Sequence, residues 1–484
     1  MSYLVEDCLI IIFNELRKKP SSLYSCILVN KYWCHVAMPI LWEDPFELFN
    51  GGSSSRHKLY NLIISLLPTP SKRLLLDNNI IELPIQESSN QPLFNYINFS
   101  SQVPSNFIDD MIKLLIKKED GFNIIKETSQ KYLLEREVYK LFVSNCENII
   151  HFNWQTRQPL SQFQGASTCF SQLRSLIIDL QFVTSIELFA MAQICQNIEE
   201  LSVFECYDDI PGLIWFIDTQ KNLLSLSLYF KSDEKQCLQL SEVIKRKAST
   251  LRKFSIEPLI ISISPKFLPS LINLQHLELK NIYGHDNDRM DIFKEYEWAY
   301  SLSLASFPNL QYLETAFLPF SKECDLIEKS NGSILDIDIC RMNNNIEGIG
   351  YNKKLIKVIS TNCPNIERLN IEIEIENLCG IREVLINCLR LIKLQLSITN
   401  NEDKCACDEL LEILVEFSPK TLYKLTFCTN FIFTPDGLKN FFENWKGRKP
   451  LILNTHSCTG NYLTDDYKMI IGKYLGEGVI KEII

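Results

Sequence analysis

A chain of 484 residues with 46% hydrophobic side chains is long enough for an extended repeat array with a small domain appended. Its formal charge of −10 argues against general nucleic-acid binding, because contacts to phosphates call for a basic stripe. The densest basic run, Lys245-Arg246-Lys247 with Arg252-Lys253, reads as a solvated helix end, and no stretch approaches the roughly 18 apolar residues a membrane crossing needs.

The first 46 residues carry a compact helical pattern. Leu9, Ile12, Phe13 and Leu16 recur at i, i+3, i+4 and i+7, which puts them on one helical stripe. Asp7 near the start and Arg17-Lys18-Lys19 near the end suit the helix dipole. Pro20 stops this helix, Ser21 or Ser22 caps a second with Leu23, Cys26 and Ile27 inward, and Pro39 closes a third. Three helices this short bury too little apolar surface to be very stable alone, so a partner is expected.

The segment from about residue 3 to 46 resembles an F-box at Leu4, Ile12, Phe13, Leu16, Cys26, Val29, Trp33 and Trp42. Val5 stands where Pro is usual and Asp7 where Glu is usual, which makes the first turn less rigid. The resemblance implies a surface that docks a Skp-family adaptor and, through it, a cullin-RING ubiquitin ligase. The adaptor-binding residues it implies are Leu4, Val5, Leu9, Ile12, Phe13, Leu16, Cys26, Val29, Trp33 and Trp42. An ordinary small helical bundle at the start of a repeat protein is the alternative.

Residues 47–145 read as a linker and helical N-terminal cap. Asn50 to Ser55 has the composition of a flexible joint. Lys58 to Leu67, Ile108 to Lys118 and Leu133 to Val143 have helical periodicity.

From residue 146 the pattern apolar-x-x-apolar-x-apolar recurs. Copies begin at Ile149, Leu173, Ile198, Leu223, Leu251, Leu274, Leu310, Ile334, Ile366, Leu391 and Leu422, with steps of 23 to 32 residues and one of 36 that leaves room for an inserted loop near Gly284 to Asp291. Helical stretches fall between them at Ile186 to Cys195, Leu238 to Lys247, Lys354 to Thr361 and Cys407 to Phe417. This is leucine-rich-repeat spacing. It predicts a leucine-rich-repeat solenoid, or horseshoe, over 146–455, with a less regular strand near Leu451 to Leu453; with the three-helix F-box that the resemblance implies for residues 1–46, the fold class is α/β. Residues 456–484 form a C-terminal cap, a final helix from Thr464 through Tyr474 whose end is loosened by Gly476 and Gly478. Overall the chain is similar to the F-box/leucine-rich-repeat proteins numerous in fungi.

Residues that alternate with the strand leucines point to the concave face, where such solenoids bind their targets. Those expected to meet a target protein are Phe204, Tyr229, His276, Glu278, Tyr312, Glu314, Asp336, Asp338, Arg368 and Glu372. Lys253, Glu257, Lys280, Asn370, Lys393 and Lys424 share the face. Aromatics gather in its first half and acids near its middle, which favours a partner with a basic segment flanked by an apolar anchor. The other reading of any one of these positions is a solvated strand residue.

Seventeen cysteines without a signal peptide point to a reducing compartment and to a cytoplasmic or nuclear location. Cys195, Cys363 and Cys388 precede repeat strands, where a small buried thiol packs well. Cys405-Ala406-Cys407 is too short for a zinc half-site and no second pair follows, so neither metal nor cofactor is expected. His35 reads as a packing or rim residue, and the sequence carries no phosphate-cradling loop, His-Glu-x-x-His or Gly-x-Ser-x-Gly. Two functions stand: a non-catalytic substrate receptor of a ubiquitin ligase, or a leucine-rich-repeat interaction scaffold with no ubiquitin role.

Overall fold

Each recurring apolar segment folds as a short parallel strand whose leucines alternate with outward-facing residues. The computed structural model describes residues 5–44, 53–81, 93–103, 105–115, 124–147, 149–231, 235–281, 292–318, 322–340, 350–398, 407–428, 431–456 and 465–483. Leu4, the loop expected at Gly284 to Asp291 and Cys405 lie outside these residues. The chain divides into two units, residues 1–205 with 210–223, and residues 206–209 with 224–484.

In the first unit the strands are β1 (Gln102–Val103), β2 (His151–Trp154), β3 (Ser175–Asp179) and β4 (Glu200–Cys206), paired in parallel in chain order. In the second they are β5 (Ser225–Phe230), β6 (Lys253–Glu257), β7 (His276–Lys280), β8 (Tyr312–Ala316), β9 (Asp336–Cys340), β10 (Arg368–Ile373), β11 (Lys393–Ile398), β12 (Lys424–Cys428), β13 (Leu451–His456) and β14 (Ile480–Ile483), again parallel and sequential. Every one of the eleven sequence repeats supplies a strand, β2 through β12. Parallel neighbours need a crossover, and helices such as Gln239–Lys247, Tyr351–Asn362 and Asp408–Phe417 provide it. This is the α/β leucine-rich-repeat fold.

Register stacks like residues into continuous columns. In the second unit Leu277, Leu313, Ile337, Leu369, Leu394, Leu425 and Leu453 are successive strand partners, and all are buried. Phe152, Leu176 and Leu201 do the same in the first unit. Such columns bury each leucine only against the repeats on either side, so the array depends on its ends being covered. At the start, β1 pairs with β2, and the helices Ser53–Leu66, Thr69–Asp77, Ser105–Leu115 and Ile124–Asn145 surround it in sequence. Within that group the Ser71 hydroxyl donates to buried Glu137 at 2.5 Å, and Arg56 meets Asp110 at 3.0 Å.

Several expectations are corrected. Pro39 lies inside the third helix, which runs Lys31–Leu41, and Pro20 opens the second helix, Pro20–Ile27, as its first residue, where its missing N–H costs nothing. Neither Ser21 nor Ser22 is the cap. The side chain of Asn30 instead accepts from the Trp33 backbone N–H at 2.8 Å and starts the third helix. At the other end the residues after Gly478 are not loose. Gly478, at φ +73°, reverses the chain after the helix Asp465–Gly476, and Ile480–Ile483 pairs with β13.

The helix Pro211–Thr219, which the sequence analysis does not anticipate, packs on Ser185–Ile194 with Gly212 at the contact. A Cβ built on Gly212 would stand 2.2 Å from the Ser185 carbonyl oxygen. Gly212→Ala must therefore push the two helices apart, and we expect a loss of about 1–3 kcal/mol in a denaturant melt. An unchanged midpoint would refute this contact.

Candidate functional site

Two surfaces carry the candidate residues. The first is the trio of N-terminal helices, α1 (Glu6–Glu15), α2 (Pro20–Ile27) and α3 (Lys31–Leu41). The apolar stripe of α1 splits in two. Leu9 and Phe13 are fully buried, Phe13 meeting the edge of Trp33 with centroids 5.3 Å apart, whereas Ile12 is 43% exposed and Leu16 half-buried. Cys26 and Trp42 also belong to the core, Trp42 against Tyr96 at 4.7 Å. His35 is exposed and meets the half-buried Phe94 edge-on, with ring centroids 5.0 Å apart.

What remains outside is strongly apolar. Val5, Ile12 and Val29 of the expected adaptor residues are exposed, and Ile11, Tyr24, Leu28 and Tyr32 join them, Ile11 at 65% and Leu28 at 70%. These four are not among the residues the resemblance implies, yet their sequence positions carry a signal: apolar residues off the inward stripe of a short helix, or just past its end, have no core to enter. Seven exposed apolar side chains thus lie on these three short helices or at the residues beside their ends.

The second surface is the open side of the strands. In the first unit Phe204, on β4, is half-buried there. In the second unit the residues that alternate with the strand leucines align in rows because neighbouring strands are in register; Ser227, Ser255 and Thr426 among them are buried. The first row runs Ser225, Lys253, His276, Tyr312, Asp336, Arg368, Lys393 and Lys424. The second runs Ser227, Ser255, Glu278, Glu314, Asp338, Asn370, Gln395, Thr426 and Asn454. Tyr229, beside Glu257, and Glu372, beside Ser397, stand one position further along.

The rows bring nine of the ten expected target residues onto one face in the second unit, and most are already joined to one another. His276 stacks on Tyr312 with ring centroids 3.9 Å apart and an interplanar angle of 10°. Its Nε2 lies 2.6 Å from Glu278, which also accepts from Ser255 at 3.0 Å and faces Lys253 at 3.4 Å. Tyr312 donates to Glu314 at 2.5 Å, and Lys280 bridges Glu314 at 2.6 Å and Glu257 at 3.1 Å. Arg368 pairs with Asp336 at 2.6 Å, and Asn370 donates to Asp338 at 2.8 Å. Thus three of the acids named as seats for a basic partner, Glu278, Glu314 and Asp336, hold cations from adjacent strands, and Asp338 holds the Asn370 amide. A linear sequence shows the charges and not the register that pairs them.

Protonation follows this wiring. Burial works to raise the Glu278 carboxyl but is outweighed by the His276 hydrogen bond, Lys253 and Ser255, so its pKa falls to about 2. Burial likewise opposes the charge on Lys280, yet its bonds to Glu314 and Glu257 hold it above the ordinary lysine value. Tyr312 is raised by burial and by donating to Glu314. Asp338 is raised by burial and by the nearby Glu314 and Asp336 charges, against the Asn370 bond.

Because Glu278 is depressed on folding, its share of stability is present above the unfolded glutamate pKa and is lost as pH falls from about 4.5 to about 2. Discounted for partial solvent screening, this share is about 2 kcal/mol. Glu278→Gln should flatten the stability curve across that window relative to the parent. Parallel curves for parent and variant from pH 5 to pH 2 would show that the carboxylate is not held this way.

The thiols predicted to pack before strands do so: Cys195, Cys363 and Cys388 are buried, Cys195 Sγ donating to the Phe170 carbonyl at 3.4 Å and burial lifting Cys388 to about 11. Among the described residues no helix is long and apolar enough to cross a membrane, and no group of three His, Cys, Asp or Glu is placed to hold a metal ion.

No family model and no curated protein matches this chain. Among solved structures it is similar to the leucine-rich repeat-containing protein LegL7 from Legionella pneumophila, at 13% identity and TM-score 0.30 over 70% of this chain and 94% of that one. It is similar to a chain of the TLR13-ssRNA13 complex at 13% identity and TM-score 0.35, over 66% of this chain and 40% of the other. A third likeness is to the Rad7 and Elc1 complex in yeast, at 13% identity and TM-score 0.32 over 60% and 79% of the respective chains.

Proposed function

We propose that this chain is a non-catalytic substrate receptor of a Skp-cullin-F-box ubiquitin ligase. Residues 1–46 would dock a Skp-family adaptor, 47–145 would link and cap, 146–455 would bind the target protein, and 456–484 would close the array. The observation that carries this reading is the apolar exterior of α1–α3, formed by Val5, Ile11, Ile12, Tyr24, Leu28, Val29 and Tyr32 in the segment that resembles an F-box. A free domain leaves such a surface wet only at a cost in solubility, and an adaptor would cover it. The face of β5–β10, with its aromatic pair His276 and Tyr312 set in a fixed charge network, supports target binding, since side chains already held in place lose little freedom on binding. The receptor contributes proximity, holding its target near a charged ubiquitin carrier.

Co-purification tests the reading. The full chain should capture a Skp-family adaptor and cullin, and a chain lacking residues 1–46 should capture neither. Adaptor and cullin recovered equally by both chains would remove the N-terminal helices from that role, and recovery by neither would leave an interaction scaffold.

A further inference from the structure

On the strand face of the second unit, charge changes character between β9 and β10. Over β6–β9 the carboxylates Glu257, Glu278, Glu314, Asp336 and Asp338 outnumber Lys253 and Lys280. Over β10–β12 the balance reverses, with Arg368, Lys393 and Lys424 against Glu372 alone. Arg368, Lys393 and Lys424 are successive register partners, so three cations stand side by side on adjacent strands. Like charges placed opposite one another destabilise a sheet unless something neutralises them.

Arg368 is answered by Asp336. Lys393 and Lys424 are not: among the described residues neither has a carboxylate within ion-pair distance. Asp338 feels the charge of Lys393 but its hydrogen bond is to Asn370, and the Lys424 ammonium lies 5.7 Å from the centre of the Tyr423 ring. Beside the cations lies a second row without net charge, Asn370, Gln395 and Asn454 with Thr426 buried among them, in which the Asn370 amide N–H donates to Asp338 and that of Gln395 to the Cys428 sulfur, leaving their carbonyl oxygens to accept. Amide oxygens that accept suit the main-chain N–H groups of an extended segment crossing the strands.

We propose that the β10–β12 face binds an acidic polypeptide segment of the recruited protein, its carboxylates held by Lys393 and Lys424 and its main chain by the amide row. This deepens the target-recruitment reading and rests on it. A polypeptide fits better than a nucleic acid. The basic strip is three strands wide, about 10 Å at the usual strand spacing, enough for a few side-chain charges. A long phosphate chain would run on over Glu278, Glu314 and Asp338 and be repelled.

The test is fluorescence anisotropy with the full chain and three labelled probes: a twelve-residue peptide of alternating Glu and Ser, the same peptide with Lys for Glu, and a twelve-nucleotide single-stranded DNA. The Glu peptide should bind at physiological salt and weaken as salt rises. The double variant K393E/K424E should lose about tenfold or more in affinity. K353E/K357E, the same charge change at two exposed positions of the helix Tyr351–Asn362, should bind as the parent does. Melting curves exclude unfolding as the cause of a loss, and K393Q/K424Q should give an intermediate affinity. No binding of the Glu peptide, an equal loss in K353E/K357E, or tighter binding of the DNA or the Lys peptide would overturn the proposal. Adaptor capture by K393E/K424E, measured beside it, separates this failure from failure of the receptor reading, because that variant leaves residues 1–46 intact.

Discussion

Phe13→Ala is expected to unfold the N-terminal helices. The ring is wholly buried among α1–α3 and meets Trp33 edge-on, so truncation removes both the transfer energy of the ring and its packing partner. The loss should be about 3–5 kcal/mol, as for large core aromatics cut to alanine. Three short helices have little stability in reserve, and their other core residues, Leu9, Leu23, Val36 and Leu41, cannot refill the void without leaving their own contacts. Hydrogen exchange of residues 6–41 measures this directly. Protection like that of the parent would mean that Phe13 is not the centre of this core.

Replacing Ile12 and Leu28 by Asp should do the opposite, sparing the fold and removing the adaptor. Both side chains are exposed in the free chain, so charge there is already solvated, and stability should change by no more than about 0.5 kcal/mol per site. In a complex each Asp would be carried into an apolar contact without a partner, costing about 2 kcal/mol or more apiece. The expected result is a folded protein, by melting curve, that no longer retains a Skp-family adaptor on a column. Undiminished retention would place the contact elsewhere. Ile12 and Phe13, adjacent in sequence and on the same expected stripe, thus separate folding from docking.

That separation marks where the sequence is legible and where it is not. A strand repeat announces itself, because its leucines must alternate and each copy must match its neighbours; β2 through β12 stand where the pattern puts them. The helix Pro211–Thr219 gives no such signal, since Leu213, Ile214, Trp215, Phe216 and Ile217 are apolar on every side and have no period to read. Ile292–Leu304 is hidden in the one widened repeat step, between two copies of the strand pattern. In α1 the period identifies the residues of the stripe but not which of them turn toward α3 and which toward solvent, and that choice decides between core and contact surface. On the strand face the sequence supplies Glu278, Glu314 and Asp336, and only register shows that Lys253, Lys280 and Arg368 already meet them. The same register leaves Lys393 and Lys424 together, two ordinary lysines 31 positions apart in the chain.

Titration calorimetry of a purified Skp-family adaptor into the full-length chain, and into its I12D/L28D variant, tests the central claim. Docking through the exposed side chains of the N-terminal helices predicts saturable binding of one adaptor per chain with a negative heat-capacity change, the mark of buried apolar surface, and its loss in the variant. A full-length chain that stays folded and gives no binding heat at any temperature, or a variant that binds as well as the parent, would contradict it.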